Sequence, residues 1–300
     1  MNAVPLLVAL ASLLAACVRP EPAPTAAAPL SEGTTVSEAP GPPDLVGRAL
    51  SHPESRWDSL AARTATVYVQ PGSHAAGRVG ALAAAVDAAV DHALVLLDEE
   101  VYPHRLRVFF VGSRAEMESL VGQPVTGAAI AEQRAVFLVA APDWRPLTRH
   151  EVFHAVSVGL WGHPLAPTDQ ESFLAGGWLR EGTATAAEGQ CAGTPLHDVV
   201  ATMQREAALI PLDTLATDFY AQNDLDAYLQ AGSLLDFVRL RYGPGAIRTL
   251  WDRGPDAFPD ATGAAAAEVE AAWHAWLDAV PVHDPPDLAA LRELGCGGRP

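Results

Sequence analysis

An α+β protein is expected from this sequence: a small mixed or antiparallel sheet with an N-terminal helix, followed by a mainly helical half. Three patterns lead there. Short β-branched runs, bounded by turn residues, are confined to residues 60–141. Beyond residue 142 the apolar residues recur at helical spacing. Pro142 and Pro146 separate the two regions, and a run of strands followed by a run of helices defines the α+β class. Taken in order, Ala65–Val69 (ATVYV) reads as a strand stopped by Pro71-Gly72. Val79, Leu82, Val86, Val90, Leu94 and Leu97 fall at steps of three and four and predict a helix. Leu106–Val111 (LRVFFV) is a second strand. Residues 113–120 open with Ser113 and, three residues on, Glu116, which is the pattern of a capping box and predicts a short helix. Residues 134–140 (RAVFLVA) form a third strand, with a fourth expected in 125–130. No internal repeat is visible.

The first residues address the compartment. Residues 4–14 (VPLLVALASLL) have the length of a signal-peptide apolar region and are too short to span a bilayer as a mature helix. They end in Leu14-Ala15-Ala16-Cys17, which resembles a bacterial lipobox and implies cleavage before Cys17 and acylation of its thiol. The segment before the apolar run carries no Lys or Arg, a departure from the usual signal pattern. Residues 18–44 are rich in Pro, Ala, Glu, Ser and Thr and bury too little apolar surface to order themselves, so they read as a tether. The expected organisation is a signal peptide over 1–17, a tether over 18–44 and one folded domain over 45–300, with a sheet half at 60–141 and a helical half at 142–300. The expected location is extracytoplasmic, on a bacterial membrane through an N-terminal lipid anchor.

Composition narrows the partners. The 300 residues are 49% apolar, enough for a sizeable core, and carry a formal charge of −17. The basic residues are all Arg and form no block, which argues against nucleic acid. Of the three cysteines, Cys17 is assigned to the lipid. Cys191 and Cys296 then remain as an even pair in an oxidising compartment, candidates for a disulfide tying the C-terminal tail to the segment after the catalytic region. Two free thiols or one odd metal ligand are the alternatives, and neither Cys sits in a C-x-x-C.

The chemistry concentrates at residues 147–154, LTRHEVFH, which contain H-E-x-x-H. On a helix His150 and His154 share a face and can grip one Zn²⁺ from adjacent turns. Glu151 is turned by about 100° from His150 and is placed to act as a general base on a water whose pKa the metal lowers toward neutrality. A catalytic zinc takes three protein ligands and keeps one position open. The extended motif H-E-x-x-H-x-x-G-x-x-H is excluded, because Ser157 and Leu160 stand at its last two positions. A Glu on a second helix is the other common source. Glu181 in WLREGTA fits, 27 residues after His154 (181 − 154 = 27).

His150-Glu151-x-x-His154 followed by W-L-x-E-G-x-A resembles the gluzincins, the thermolysin-like superfamily, and most of all their bacterial peptidase MA-like group. Residues 227–243 resemble the helix that follows the ligand Glu in that group, and EAAWHAWL resembles its closing helix. The resemblance implies a gluzincin-like fold over the folded domain and zinc on His150, His154 and Glu181. It also implies Glu151 as catalytic base and acid, and hydrolysis of a peptide or protein substrate. It implies too a sheet edge against which an extended peptide pairs, expected at 134–140. Two departures stand out. Thermolysin-like enzymes place an Asp four residues after the ligand Glu, where this chain has Thr185. The family's Tyr or His donor to the transition state is not fixed by the motif; Tyr228 is the first candidate and Tyr220 the second. Glu188 is expected to be solvated, His163 and His197 to be structural or on the surface, and Trp178 to be a packing anchor. Val269, Ala272, Trp273, Trp276, Leu277 and Val280 form a core stripe. The alternative to a peptidase is a zinc-containing binding or scaffold lipoprotein without turnover; a further one is an assembly lipoprotein with a chance motif.

Overall fold

The computed structural model describes residues 44–52, 56–142 and 144–297. The signal, the lipobox with Cys17 and nearly all of the tether lie outside the described residues. The chain runs α1 (Leu45–Ser51), β1 (Asp58–Ala61), β2 (Ala65–Val69), α2 (Val79–Leu97), β3 (Leu106–Val111), α3 (Arg114–Val121), β4 (Gly127–Ile130) and β5 (Ala135–Val139). Then follow α4 (Thr148–Trp161), α5 (Gln170–Ala175), α6 (Gly177–Glu188), a two-strand ribbon of β6 (Gln190–Cys191) and β7 (Thr194–Pro195), and α7 (Leu196–Arg205). The remaining helices are α8 (Leu212–Thr217), α9 (Asp224–Tyr242), α10 (Pro244–Arg253), α11 (Phe258–Thr262), α12 (Ala266–Asp278) and α13 (Leu288–Leu294). The arrangement is mixed α+β, a sheet half followed by a helical half. The short helix α3 is capped by Ser113, which accepts from the Glu116 N–H as predicted; the reciprocal bond of a capping box is displaced by one residue, with Glu116 accepting from the Gly112 N–H rather than from Ser113.

The five-stranded sheet has the order β1-β2-β3-β5-β4. Its centre, β2-β3-β5, is parallel; β1 and β4 are antiparallel edges. One expectation is corrected here. Residues 134–140 are not the sheet edge: β5 lies between β3 and β4 and is buried along its whole length. A strand apolar on both faces belongs in a sheet interior, and AVFLV is such a strand. A short 3₁₀ turn at Ala131–Gln133, closed by Arg134 in the left-handed region (φ 52°), folds β4 back along β5 and leaves β4 as the open edge.

Both sheet faces are covered. Val67, Val108, Phe110, Val136 and Leu138 meet α2 and the Val152–Phe153–Val156 stripe of α4. On the other face Tyr68, Phe109 and Phe137 stack successively at 4.6 and 4.7 Å under α1 and α3. The helical half has its own core around Trp178, Trp251, Phe258 and Trp273. Val269, Trp273 and Leu277 of the predicted stripe are buried in it. Helix α4 therefore lies between sheet and helices, and α6 packs against both α4 and α9.

Candidate metal centre

The stripe Val152, Phe153 and Val156 sets the rotation of α4 by packing onto the sheet half, and this turns His150 and His154 toward α6. Their Nε2 atoms face each other at 3.1 Å. Glu181 of α6 completes the group, with Oε2 at 3.1 Å from His154 Nε2 and 3.6 Å from His150 Nε2. Ligands near 2 Å in a tetrahedral site stand about 3.3 Å apart, and these three separations bracket that distance. Two imidazole nitrogens and a carboxylate oxygen, all nearly buried and aimed at one point, form a group that could hold a metal ion. His154 Nδ1 is buried with no partner among the described residues.

What brings α6 close to its neighbours is glycine. A Cβ at Gly182 would stand 2.8 Å from Leu235 Cδ1 and 2.9 Å from Ala231 Cβ, both on α9. A Cβ at Gly232 of α9 would stand 2.8 Å from Thr185 Cγ2. The two helices interlock through these positions, and Thr185 is used in that packing rather than as a carboxylate partner.

Charge is concentrated around the donors. Burial opposes ionisation of Glu181, but His154, hydrogen bonds from both imidazoles and the Arg180 guanidinium outweigh it and hold the carboxyl well below the usual range. Glu151 is shifted the other way: burial raises its carboxyl, with Glu181 and Glu188 adding to the rise and the imidazoles opposing it. For His150, burial disfavours the cation, yet the Glu181 hydrogen bond and the charges of Glu151, Glu181 and Glu188 leave its pKa raised. The Glu151 carboxylate lies against the backbone of β4, so that a Cβ at Gly127 would be 2.3 Å from its Oε1.

The other candidates separate clearly. Tyr228 lies parallel to the His150 ring at 6.3 Å between centroids. It lines a cleft of about 440 Å³ together with His150, Thr185 and Glu188. Burial, then the Glu181 charge, keep its phenol protonated well above the usual value. Tyr220 meets Glu181, with its hydroxyl 3.4 Å from Oε1 and hydrogen-bonded to Arg180. Glu188 corrects an expectation: it is buried, not solvated. One of its oxygens accepts from the His150 N–H at 3.4 Å and the other from Gln190 Nε2 at 2.6 Å. It lies one turn beyond Thr185, where α6 runs under the start of α4. His163 pairs with Glu132 at 2.8 Å. His197 bridges Ser233 and Asp236, each at 2.9 Å, and both histidines are structural. Trp178 is wholly buried. Cys191 and Cys296 form a disulfide. It holds residues 292–297 as one wall of the cleft.

Sequence reasoning missed Arg180, Glu188 and Gly127. The signal for Gly127 was present, since a glycine inside a strand marks close approach of another group. Nothing local marks Glu188 as buried.

No protein-family profile matches the chain, and no curated protein matches it. Among solved structures it is similar to an aminopeptidase N family protein from Idiomarina loihiensis, with 14% identity and a TM-score of 0.41. The match covers 82% of this chain and 47% of that one, so the chain spans about half the length of that protein. Fold and site together define a mixed α+β protein with a buried His-His-Glu group able to hold a metal ion.

Proposed function

We propose that the chain is a zinc-dependent peptidase of the gluzincin type, with Zn²⁺ on His150, His154 and Glu181. The observation that carries this reading is the meeting of three donor atoms from two helices within 3.1–3.6 Å, with Glu151 beside them. When bound, zinc supplies Lewis acidity that brings a water toward ionisation near neutral pH and polarises the scissile carbonyl. Glu151, beside the group on α4, takes the proton of the attacking water and returns it to the leaving amine. Tyr228 lines the cleft next to His150 with a protonated hydroxyl and is the proposed donor to the developing oxyanion. Strand β4 pairs only with β5 among the described residues, and its outer side offers an extended substrate a row of backbone groups. The proposed substrate is a peptide or protein.

The location proposed is extracytoplasmic, on a lipid anchor at Cys17. Leu14-Ala15-Ala16-Cys17 and the Pro-rich tether support it, and the Cys191–Cys296 disulfide suits an oxidising compartment. The test is zinc content by metal analysis together with digestion of an unfolded protein and a peptide library. Bound zinc and cleavage are expected, with Glu151→Gln retaining zinc and losing at least about 100-fold in rate. Zinc without cleavage by the wild-type chain would favour the scaffold alternative, and cleavage surviving Glu151→Gln would refute the mechanism.

A further inference from the structure

We propose that Arg180 is a positioning residue that reserves one oxygen of Glu181 for the metal. This rests on the metal centre proposed above. Adjacent residues on a helix point about 100° apart, so Arg180 and Glu181 do not meet by default. Here the Arg180 chain turns back: its Nε stands 3.4 Å from Glu181 Oε1 and its Nη1 donates to the Phe173 carbonyl at 3.3 Å. Its Nη2 donates to the Tyr220 hydroxyl. The guanidinium is 4.0 Å from the centre of the Phe173 ring and the residue is 6% exposed. The Tyr220 hydroxyl in turn points at the same Glu181 oxygen, at 3.4 Å.

The two oxygens of Glu181 are thus divided. Oε1 faces a guanidinium and a phenol; Oε2 faces the two imidazoles. A carboxylate without such partners can rotate or offer both oxygens to one cation, whereas this one presents a single oxygen. The rest of the site explains why the support falls here. Thr185, one turn beyond Glu181, carries no carboxylate and is spent on packing against Gly232. His154 Nδ1 has no hydrogen-bond partner among the described residues that would fix its ring. Orientation is therefore supplied from the carboxylate side, by a charged fork that is itself fixed by Phe173 and Tyr220. Outer partners of this kind are commonly worth about 10–100-fold in metal affinity.

The test is a zinc titration of the metal-free protein in competition with a chromophoric chelator, with folding followed by circular dichroism. Arg180→Met keeps length and apolar packing and removes the fork; its zinc Kd is expected to rise about 10–100-fold. Arg180→Lys keeps the charge without the fork and should resemble Arg180→Met. Tyr220→Phe, which removes one hydroxyl from an intact Arg180, should raise Kd several-fold. Cobalt(II) in the same site gives a second readout. Its visible absorption should weaken in Arg180→Met as Glu181 becomes able to offer both oxygens and the coordination number rises. A fall in thermal stability with unchanged zinc Kd and unchanged cobalt spectrum would overturn the proposal and make Arg180 a packing residue. Should Arg180→Met fail to fold, an unaltered Kd in Tyr220→Phe overturns it alone. Zinc binding by the wild type with unaltered variants sinks only this inference, whereas a wild type that binds no zinc sinks the metal centre with it.

Discussion

Gly182→Ala tests whether the α6–α9 contact sets the metal geometry. In an open helix the change is favourable by about 1 kcal/mol, because Ala is the better helix former. At position 182 the new methyl would stand 2.8 Å from Leu235 Cδ1, 2.9 Å from Ala231 Cβ and 3.0 Å from the Ala231 carbonyl carbon. Carbon atoms rest at about 3.5–4.0 Å. Since one of the three neighbours is backbone, the helices must separate by roughly 0.5–1 Å. Overpacking of this kind costs about 1–3 kcal/mol, so the net effect is between roughly zero and 2 kcal/mol of destabilisation. The metal is less forgiving, because ligand distances tolerate only about 0.2 Å and Glu181 is the next residue on the moving helix. Zinc affinity should fall at least about 10-fold while the protein stays folded. The assay pairs thermal unfolding with zinc competition, and Gly80→Ala serves as control because its Cβ would meet nothing within 4 Å. If Gly182→Ala is stabilised as much as Gly80→Ala and binds zinc as tightly as the wild type, the reasoning is refuted.

Gly127→Ala puts a methyl where the Glu151 carboxylate now lies; hydrolysis should drop by about 100-fold, the cost of misplacing a reacting group by an ångström, with zinc content unchanged. In the metal-free protein Glu151 has a raised carboxyl, chiefly through burial. Its ionisation therefore costs stability at neutral pH, and the cost disappears as pH falls below the ordinary Glu value of about 4.3. Glu151→Gln should accordingly raise the unfolding temperature of metal-free protein at pH 7, with the gap closing on acidification. Glu181 has the opposite sign. Its depressed carboxyl contributes stability above the ordinary value and loses it as pH falls through the folded value, so Glu181→Gln should lower the unfolding temperature at pH 7. Replacing Cys191 and Cys296 by Ser removes a link between residues 105 apart. It should cost about 2–4 kcal/mol and, by freeing a cleft wall, raise cleavage of bulky relative to short peptides.

Local pattern carried the elements that speak in one period. The Val79–Leu97 helix and the strands Ala65–Val69 and Leu106–Val111 have the predicted bounds, because β-branched runs and three-four spacing each favour one backbone. Strand β1 was not foreseen; DSLA is exposed along its length and is a strand only because β2 pairs with it. The edge position was misassigned for a related reason. Strand order depends on which way the chain turns at Ala131–Arg134, and that turn uses an Arg at positive φ where no glycine announces it. The donors His150, His154 and Glu181 were legible because helix spacing and a motif name them. Tyr220 was a candidate from its position, but its contacts with Arg180 and Glu181, and the places of Arg180 and Glu188, were not legible, since they are decided by how α4, α5, α6 and the segment before α9 pack.

On the proposed peptidase reading, the corrected edge changes where a substrate would run. With β5 inside the sheet, the row of backbone groups open to a peptide belongs to β4, whose first residue, Gly127, is in contact with the Glu151 side chain. A strand added there would begin at Glu151, the proposed general base, rather than one strand away from it. Placing the carboxylate this close requires position 127 to have no side chain, which gives the glycine a reason that strand propensity does not. It also couples two parts of the site: a peptide that pairs with β4 stiffens the backbone on which Glu151 rests. Lengthening a peptide along β4 should therefore raise kcat as well as lower KM, because remote binding is then used at the reacting centre. If lengthening lowers KM alone, the peptide's path does not follow β4 past Glu151.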